Sequence, residues 1–194
     1  MFINHALQEI NLKIVYYGPG LSGKTTNLEY IYKKLEPNLR SELVTLNTRE
    51  ERTLYFDFMQ LELAPIKGKK PRFNLYTVPG QSFYKFSRKV ILRGVDGVVF
   101  VTDSQKSRMG DNLDSLLDLE KNLIEMGGSL QTFPWVIQYN KRDLPDIESI
   151  EKLQVKLNFF GAKYFEAVAT EGAGVLPTLK CVITEVISKI ACIS

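Results

Sequence analysis

The sequence predicts an α/β protein with a mostly parallel sheet of six strands, or seven with one extra, and helices on both faces. Three observations predict it. Apolar residues alternate between strand-like and helix-like spacing along the chain, in the order expected when strands and covering helices take turns. The run Gly97-Val98-Val99-Phe100-Val101-Thr102-Asp103 is almost wholly apolar, as a strand covered on both faces should be, and is the candidate for the sheet centre. A glycine-rich turn at 18–23 joins a strand pattern to a helix pattern.

The elements follow in order. Leu12 to Tyr17 reads as the first strand, and Lys24 to Leu35 as a helix whose Leu28, Ile31 and Leu35 recur at intervals of three and four. After a polar stretch, Tyr55 to Leu63 and Arg72 to Val78 read as an antiparallel pair joined around Gly68. Beyond the Gly97 strand come a helix from Asn112 to Met126, a strand from Trp135 to Tyr139, a weaker helix from Ile147 to Leu157 and a short strand from Tyr164 to Val168. The last helix starts near Val175, and Leu176, Leu179, Val182, Ile183, Val186, Ile187 and Ile190 give it one apolar stripe for core packing.

At 194 residues, 44% hydrophobic and 24% charged, the chain fits one globular domain spanning 1–194 and no disordered class. Its net charge of +3 is small, and the basic run from Lys67 to Arg72 reads as a solvated turn, so no nucleic-acid partner is expected. Cys181 and Cys192 both fall in the last helical stretch, which points to a reducing, cytoplasmic setting. No signal peptide, membrane span or lipidation box is legible, so no direct membrane anchor is expected. His5 reads as a surface residue, Trp135 and Cys181 as packing.

Gly18-Pro19-Gly20-Leu21-Ser22-Gly23-Lys24-Thr25 matches the P-loop pattern G-x-x-x-x-G-K-[ST] between a strand and a helix. Glycines let the backbone curl until successive N–H groups face one anion, and the helix N-terminus adds positive potential. The nucleotide-binding candidates here are Gly18, Gly20, Leu21, Ser22, Gly23, Lys24, Thr25 and Thr26. Lys24 is expected to reach the outer phosphates and the Thr25 hydroxyl to coordinate Mg²⁺.

The base is addressed by Asn140-Lys141-Arg142-Asp143, directly after an apolar strand. A carboxylate at Asp143 accepts two hydrogen bonds from guanine N1–H and its exocyclic amine, a donor pair adenine lacks. Asn140 would brace the loops, and the Lys141 stem would lie across the purine. Val168-Ala169-Thr170 is a further base-contact candidate, through the Ala169 N–H to the guanine carbonyl.

Two loops are candidates for catalysis. In Thr77-Val78-Pro79-Gly80-Gln81, the Gly80 backbone can approach the γ-phosphate and the Gln81 amide can orient water. In Arg49-Glu50-Glu51-Arg52-Thr53, Thr53 is the candidate second Mg²⁺ hydroxyl. Arg52 reads either as an arginine finger in cis or as a surface salt-bridging residue. Thr77 is offered as a further metal contact through water.

These motifs, in this order and over essentially the whole chain, resemble the small Ras-like GTPases. Their detail, in Lys13 to Leu28, Glu51-Arg52-Thr53-Leu54, Tyr76 to Gln81 and Ile91 to Gly97, is similar to the MglA group of bacterial polarity GTPases. The resemblance implies a GTP/GDP switch using Mg²⁺, a pole-localised active form, polarity or motility effectors, and a roadblock-domain activator of the MglB type that repositions Arg52 and Gln81. Thr77 stands where most of the superfamily has an aspartate; the change is typical of the MglA group and predicts weaker Mg²⁺ binding and slow turnover. The region between Leu43 and Leu63 is the expected moving element. The competing readings are a nucleotide-gated scaffold with negligible hydrolysis, motivated by Thr77, and an ATPase, which Asp143 opposes.

Overall fold

A computed structural model describes residues 2–4, 8–46, 56–65, 70–80 and 85–191. In chain order the strands are β1 (Phe2–Asn4), β2 (Glu9–Tyr17), β3 (Val44–Leu46), β4 (Phe56–Glu62), β5 (Lys70–Thr77), β6 (Gly97–Asp103), β7 (Trp135–Asn140) and β8 (Lys163–Glu166). The α-helices are α1 (Lys24–Lys34), α2 (Lys85–Leu92), α3 (Met109–Glu125), α4 (Ile150–Leu157) and α5 (Val175–Ala191).

Among the described residues all eight strands join one sheet, in the order β3-β4-β5-β2-β6-β7-β8, with β1 paired to β2. β2, β5, β6, β7 and β8 run parallel, whereas β3, β4 and β1 pair antiparallel. The sheet is therefore larger than six or seven strands. The additions, β1 and β3, are three residues each and owe their extended form to a neighbouring strand, so their own sequences carry no period. The centre is β2, with β6 beside it. An unbroken apolar run reports cover on both faces, which β2 shares from Ile14 to Tyr17, and does not report rank in the sheet.

Successive strand residues feed opposite cores, because side chains alternate across a sheet. Leu12, Ile14 and Tyr16 of β2 join Val99 and Val101 of β6 under α1 and α5, while Val15, Tyr17, Val98 and Phe100 join the core under α2, α3 and α4. Each such Val, Leu, Ile or Phe side chain, fully buried, contributes about 1.5–3 kcal/mol. On α5, Leu179, Val182 and Val186 of the expected stripe are buried, and Leu176, Ile183, Ile187 and Ile190 are partly buried against the same core. Gly97 lets that helix close down, since a Cβ there would meet Val186 Cγ2 at 2.5 Å.

Helix α2 is the element the sequence does not announce. Its inward positions are Ser87, Arg88, Ile91 and Leu92, so half of its buried face is polar and the apolar period is interrupted. The Gly68 turn and the loop carrying Arg52 and Thr53 lie outside the described residues. Among the described residues no helix is long and apolar enough to cross a membrane.

Candidate functional site: a nucleotide cleft at the strand ends

The cleft forms where β2, β6 and β7 end and the chain turns into loops, the usual ligand position of an open α/β sheet. Between β2 and α1 the backbone curls through Gly18 at φ 144° and Gly23 at φ 98°. Both sites exclude a side chain as well as favour glycine: a Cβ on Gly18 would sit 2.1 Å from Val101 O, and one on Gly23 2.2 Å from Asn140 Nδ2. Leu21 takes a left-handed φ of 64° and is exposed. Helix α1 starts at Lys24 with no side-chain cap and no acid in its first turn, whereas α4 is capped by Ser149 and carries Glu151. The helix's own first turn thus supplies neither a side-chain cap nor a negative charge.

Lys24 is buried, and its ammonium donates to Gly18 O at 3.0 Å and Pro19 O at 2.6 Å. Removal from water, joined by the nearby Arg88 charge and partly offset by Asp57, pulls its pKa down to about 7. The Thr25 hydroxyl donates to Asp57 Oδ2 at 2.6 Å. The Thr77 hydroxyl donates to the same oxygen at 2.8 Å and accepts from Asp57 N at 2.9 Å, while Thr45 donates to Asp57 Oδ1 at 2.9 Å. Three threonines from three elements therefore converge on one buried carboxylate of β4.

Sequence reading misses Asp57. Its signal lies in the alternation of β4, which buries Asp57, Met59 and Leu61 on one face and so puts an acid at a core-facing position. The negative charge that Thr77 lacks stands on the adjacent antiparallel strand.

At the other end, Asn140 is buried at the tip of β7. Its Nδ2 donates to Ser22 O at 2.8 Å and its Oδ1 accepts from Ala169 N at 2.9 Å, so one amide ties the glycine-rich loop to the loop after β8. Lys141, at φ 65°, pairs through Nζ with Asp103 Oδ2 at 2.7 Å. Arg108 donates to Gly20 O at 2.8 Å. A buried amide pair, Asn27 with Gln138, links α1 to β7, and Gln138 also donates to Thr178 of α5. None of Asp103, Arg108, Asn27 or Gln138 is among the site candidates the sequence offers.

A cavity of about 210 Å³ opens here, lined by Leu21, Gly23, Thr26, Asn140, Lys141, Asp143, Leu144, Ala169 and Thr170. Apart from Leu144, these are candidates from the sequence, drawn together from three distant segments. Val168 is not on that wall; its N–H donates to Ala173 O, and its carbonyl accepts from Glu171 and Gly172. The Ala169 N–H, expected to face the guanine carbonyl, is instead donated to Asn140. Gly18, Gly20, Ser22, Lys24 and Thr25 lie at the loop end, and Gly80 packs on them so closely that a Cβ would meet Gly20 N at 2.3 Å. Arg52, Thr53 and Gln81 fall outside the described residues.

The sequence model of the ADP-ribosylation factor family matches residues 1–185. The chain belongs to that family. It is a small GTPase of the MglA type, 54% identical over 189 residues to the mutual gliding-motility protein MglA of Myxococcus xanthus, a match covering 97% of each chain. More distant likeness links it to Ypt/Rab-type GTPases: Rab7 of Neurospora crassa, 25% identical over 87% of this chain and 78% of that one, and ypt7 of Schizosaccharomyces pombe, 26% identical over 84% and 76%.

Proposed function

We propose that this GTPase is a guanine-nucleotide switch for cell polarity or gliding motility, which hydrolyses GTP slowly until a roadblock-domain activator of the MglB type engages it. The observation that carries the nucleotide reading is the Asn140 amide, which bonds the phosphate-cradling loop on one side and a wall of the base cavity on the other. Asp143 selects guanine, Lys141 covers it, Thr26 and Thr170 line its cavity, and the Gly18–Thr25 turn and Lys24 hold the phosphates. The motility role rests on the likeness to a protein so named in Myxococcus xanthus. Recruitment to a pole and contacts with effectors follow from the same likeness.

The donor set fits Mg²⁺, a hard cation held by one or two protein oxygens together with phosphate oxygens. Thr25 and Thr53 would supply hydroxyls, with Thr77 and Asp57 behind them, and the metal would neutralise charge developing on the phosphates. Gln81 would orient water and Arg52 would offset transition-state charge, while Gly80 would offer its N–H to the γ-phosphate.

Single-turnover GTP hydrolysis with and without a roadblock-domain partner tests this reading. Acceleration by the partner, removed by Arg52→Ala or Gln81→Ala with GTP affinity retained, supports a hydrolytic switch. Tight GTP binding with no acceleration instead supports a nucleotide-gated scaffold without hydrolysis.

A further inference from the structure

We propose that Arg88 is a positioning residue for the γ-phosphate-sensing turn, setting the direction in which the Gly80 N–H points; this rests on the reading of the chain as a GTP-binding switch. Arg88 lies on the buried face of α2. Its Nε donates to Pro79 O at 2.9 Å, its Nη2 to Gly80 O at 2.8 Å and its Nη1 to Asp118 Oδ2 at 2.8 Å. The α3 carboxylate takes one arm of a guanidinium that has five N–H donors. Here two arms of the fork hold consecutive carbonyls of one turn.

The consequence follows from peptide geometry. The amide between Pro79 and Gly80 is planar, and the described chain has no cis bond, so its C=O and N–H point in opposite directions. Holding Pro79 O toward the guanidinium aims the Gly80 N–H away from it. The Gly80 backbone is meanwhile pressed against Gly20 of the glycine-rich loop. The turn is clasped between the phosphate loop and Arg88.

The clasp also has a fixed base. Asp118 accepts from the Tyr17 hydroxyl at 2.5 Å, and Tyr17 is the last residue of β2, directly before Gly18. One carboxylate therefore anchors both the strand that launches the phosphate loop and the arginine that holds the sensing turn. A lysine cannot replace this arrangement, because an ammonium lacks the planar fork that meets three spread acceptors.

The test compares equilibrium binding of GDP and of a non-hydrolysable GTP analogue by wild type, Arg88→Lys, Asp118→Asn and the double variant Arg88→Met/Asp118→Asn. The double variant removes both charges together, so no unpaired buried carboxylate threatens the fold, and thermal melts of the GDP-bound forms check it. GDP affinity should stay within about twofold in Arg88→Lys, which keeps a cation near Lys24, and should fall less than analogue affinity in the variants that change Asp118, because GDP makes no γ-phosphate contact. Analogue affinity should fall about tenfold in the double variant and in Arg88→Lys, as expected for losing an aligned hydrogen bond to a charged group, and less in Asp118→Asn. An Arg88→Lys protein that binds the analogue as wild type does overturns the proposal, as does parallel loss of both nucleotides. Wild type that binds neither nucleotide overturns the switch reading itself.

Discussion

The two ends of the cleft are built differently. At the base end, buried Asn140 holds Ser22 O and buried Asp103 holds the half-buried Lys141, pairs that a ligand need not disturb. At the phosphate end, groups expected to meet ligand and metal hold partners they would have to exchange, Lys24 on loop carbonyls and Thr25 on Asp57. The expected base end is therefore braced by the protein's own pairs, whereas a response to phosphate and metal would require polar groups to change partners. Two sets of partners for the same side chains are what a two-state element needs.

If the base end is preformed, changing its selector should alter which base binds and leave the remainder intact. Asp143→Asn replaces a carboxylate that accepts from two guanine donors with an amide that offers a donor of its own. Xanthine presents a carbonyl where guanine has its amine, so the variant should trade guanine for xanthine. Competition binding should show GDP weakened by at least about a hundredfold, the scale set by two hydrogen bonds to a charged group, with XDP gaining. Retained preference for GDP would mean that some other group reads the base.

The phosphate end should instead respond through the metal. Asp57→Asn keeps the hydrogen-bond geometry around Thr25 and Thr77 but removes the charge beside the expected Mg²⁺ position. Release of a fluorescent GDP followed against Mg²⁺ concentration should show the requirement for metal rising about tenfold, in the range of one partly buried charge interaction. Guanine over adenine preference should not change. An unaltered Mg²⁺ requirement would reduce Asp57 to a structural partner of the threonines.

This contrast matches what the sequence made legible. The glycine-rich loop, Asn140-Lys141-Arg142-Asp143 and Val168-Ala169-Thr170 are contiguous, and each owes its geometry to a strand end and a turn, which local periodicity reveals. Asp57 depends on strand register: it lies one residue along from the Phe58–Tyr76 pair, where β4 runs antiparallel to β5 and brings it to Thr77. No local pattern encodes that register. Arg88 hides for a related reason, since a charged residue on the inner face of α2 breaks the apolar spacing that would have announced the helix. Most of the fold was legible because burial imposes period, and the gaps were two three-residue strands too short to show one and the places where a buried polar group replaces an apolar one.

The smallest expected effect concerns Lys24. With its pKa pulled down to about 7 from an ordinary 10.5, the ligand-free folded protein gives up this proton across a window in which the unfolded chain retains it. Stability of the ligand-free protein should therefore rise as pH increases from about 7 to 10.5, in the absence of other titrations. Phosphate oxygens beside the amine favour the ammonium and raise its pKa again. GDP binding at pH 8 should then take up a fraction of a proton, read by calorimetry in buffers of different ionisation enthalpy. Lys24→Arg keeps a cation that does not titrate, so it should bind with no uptake at that position even if more weakly. Equal uptake by wild type and Lys24→Arg would assign the proton elsewhere, and the phosphate end would then lack the buried, partly neutral amine that most separates it from the base end.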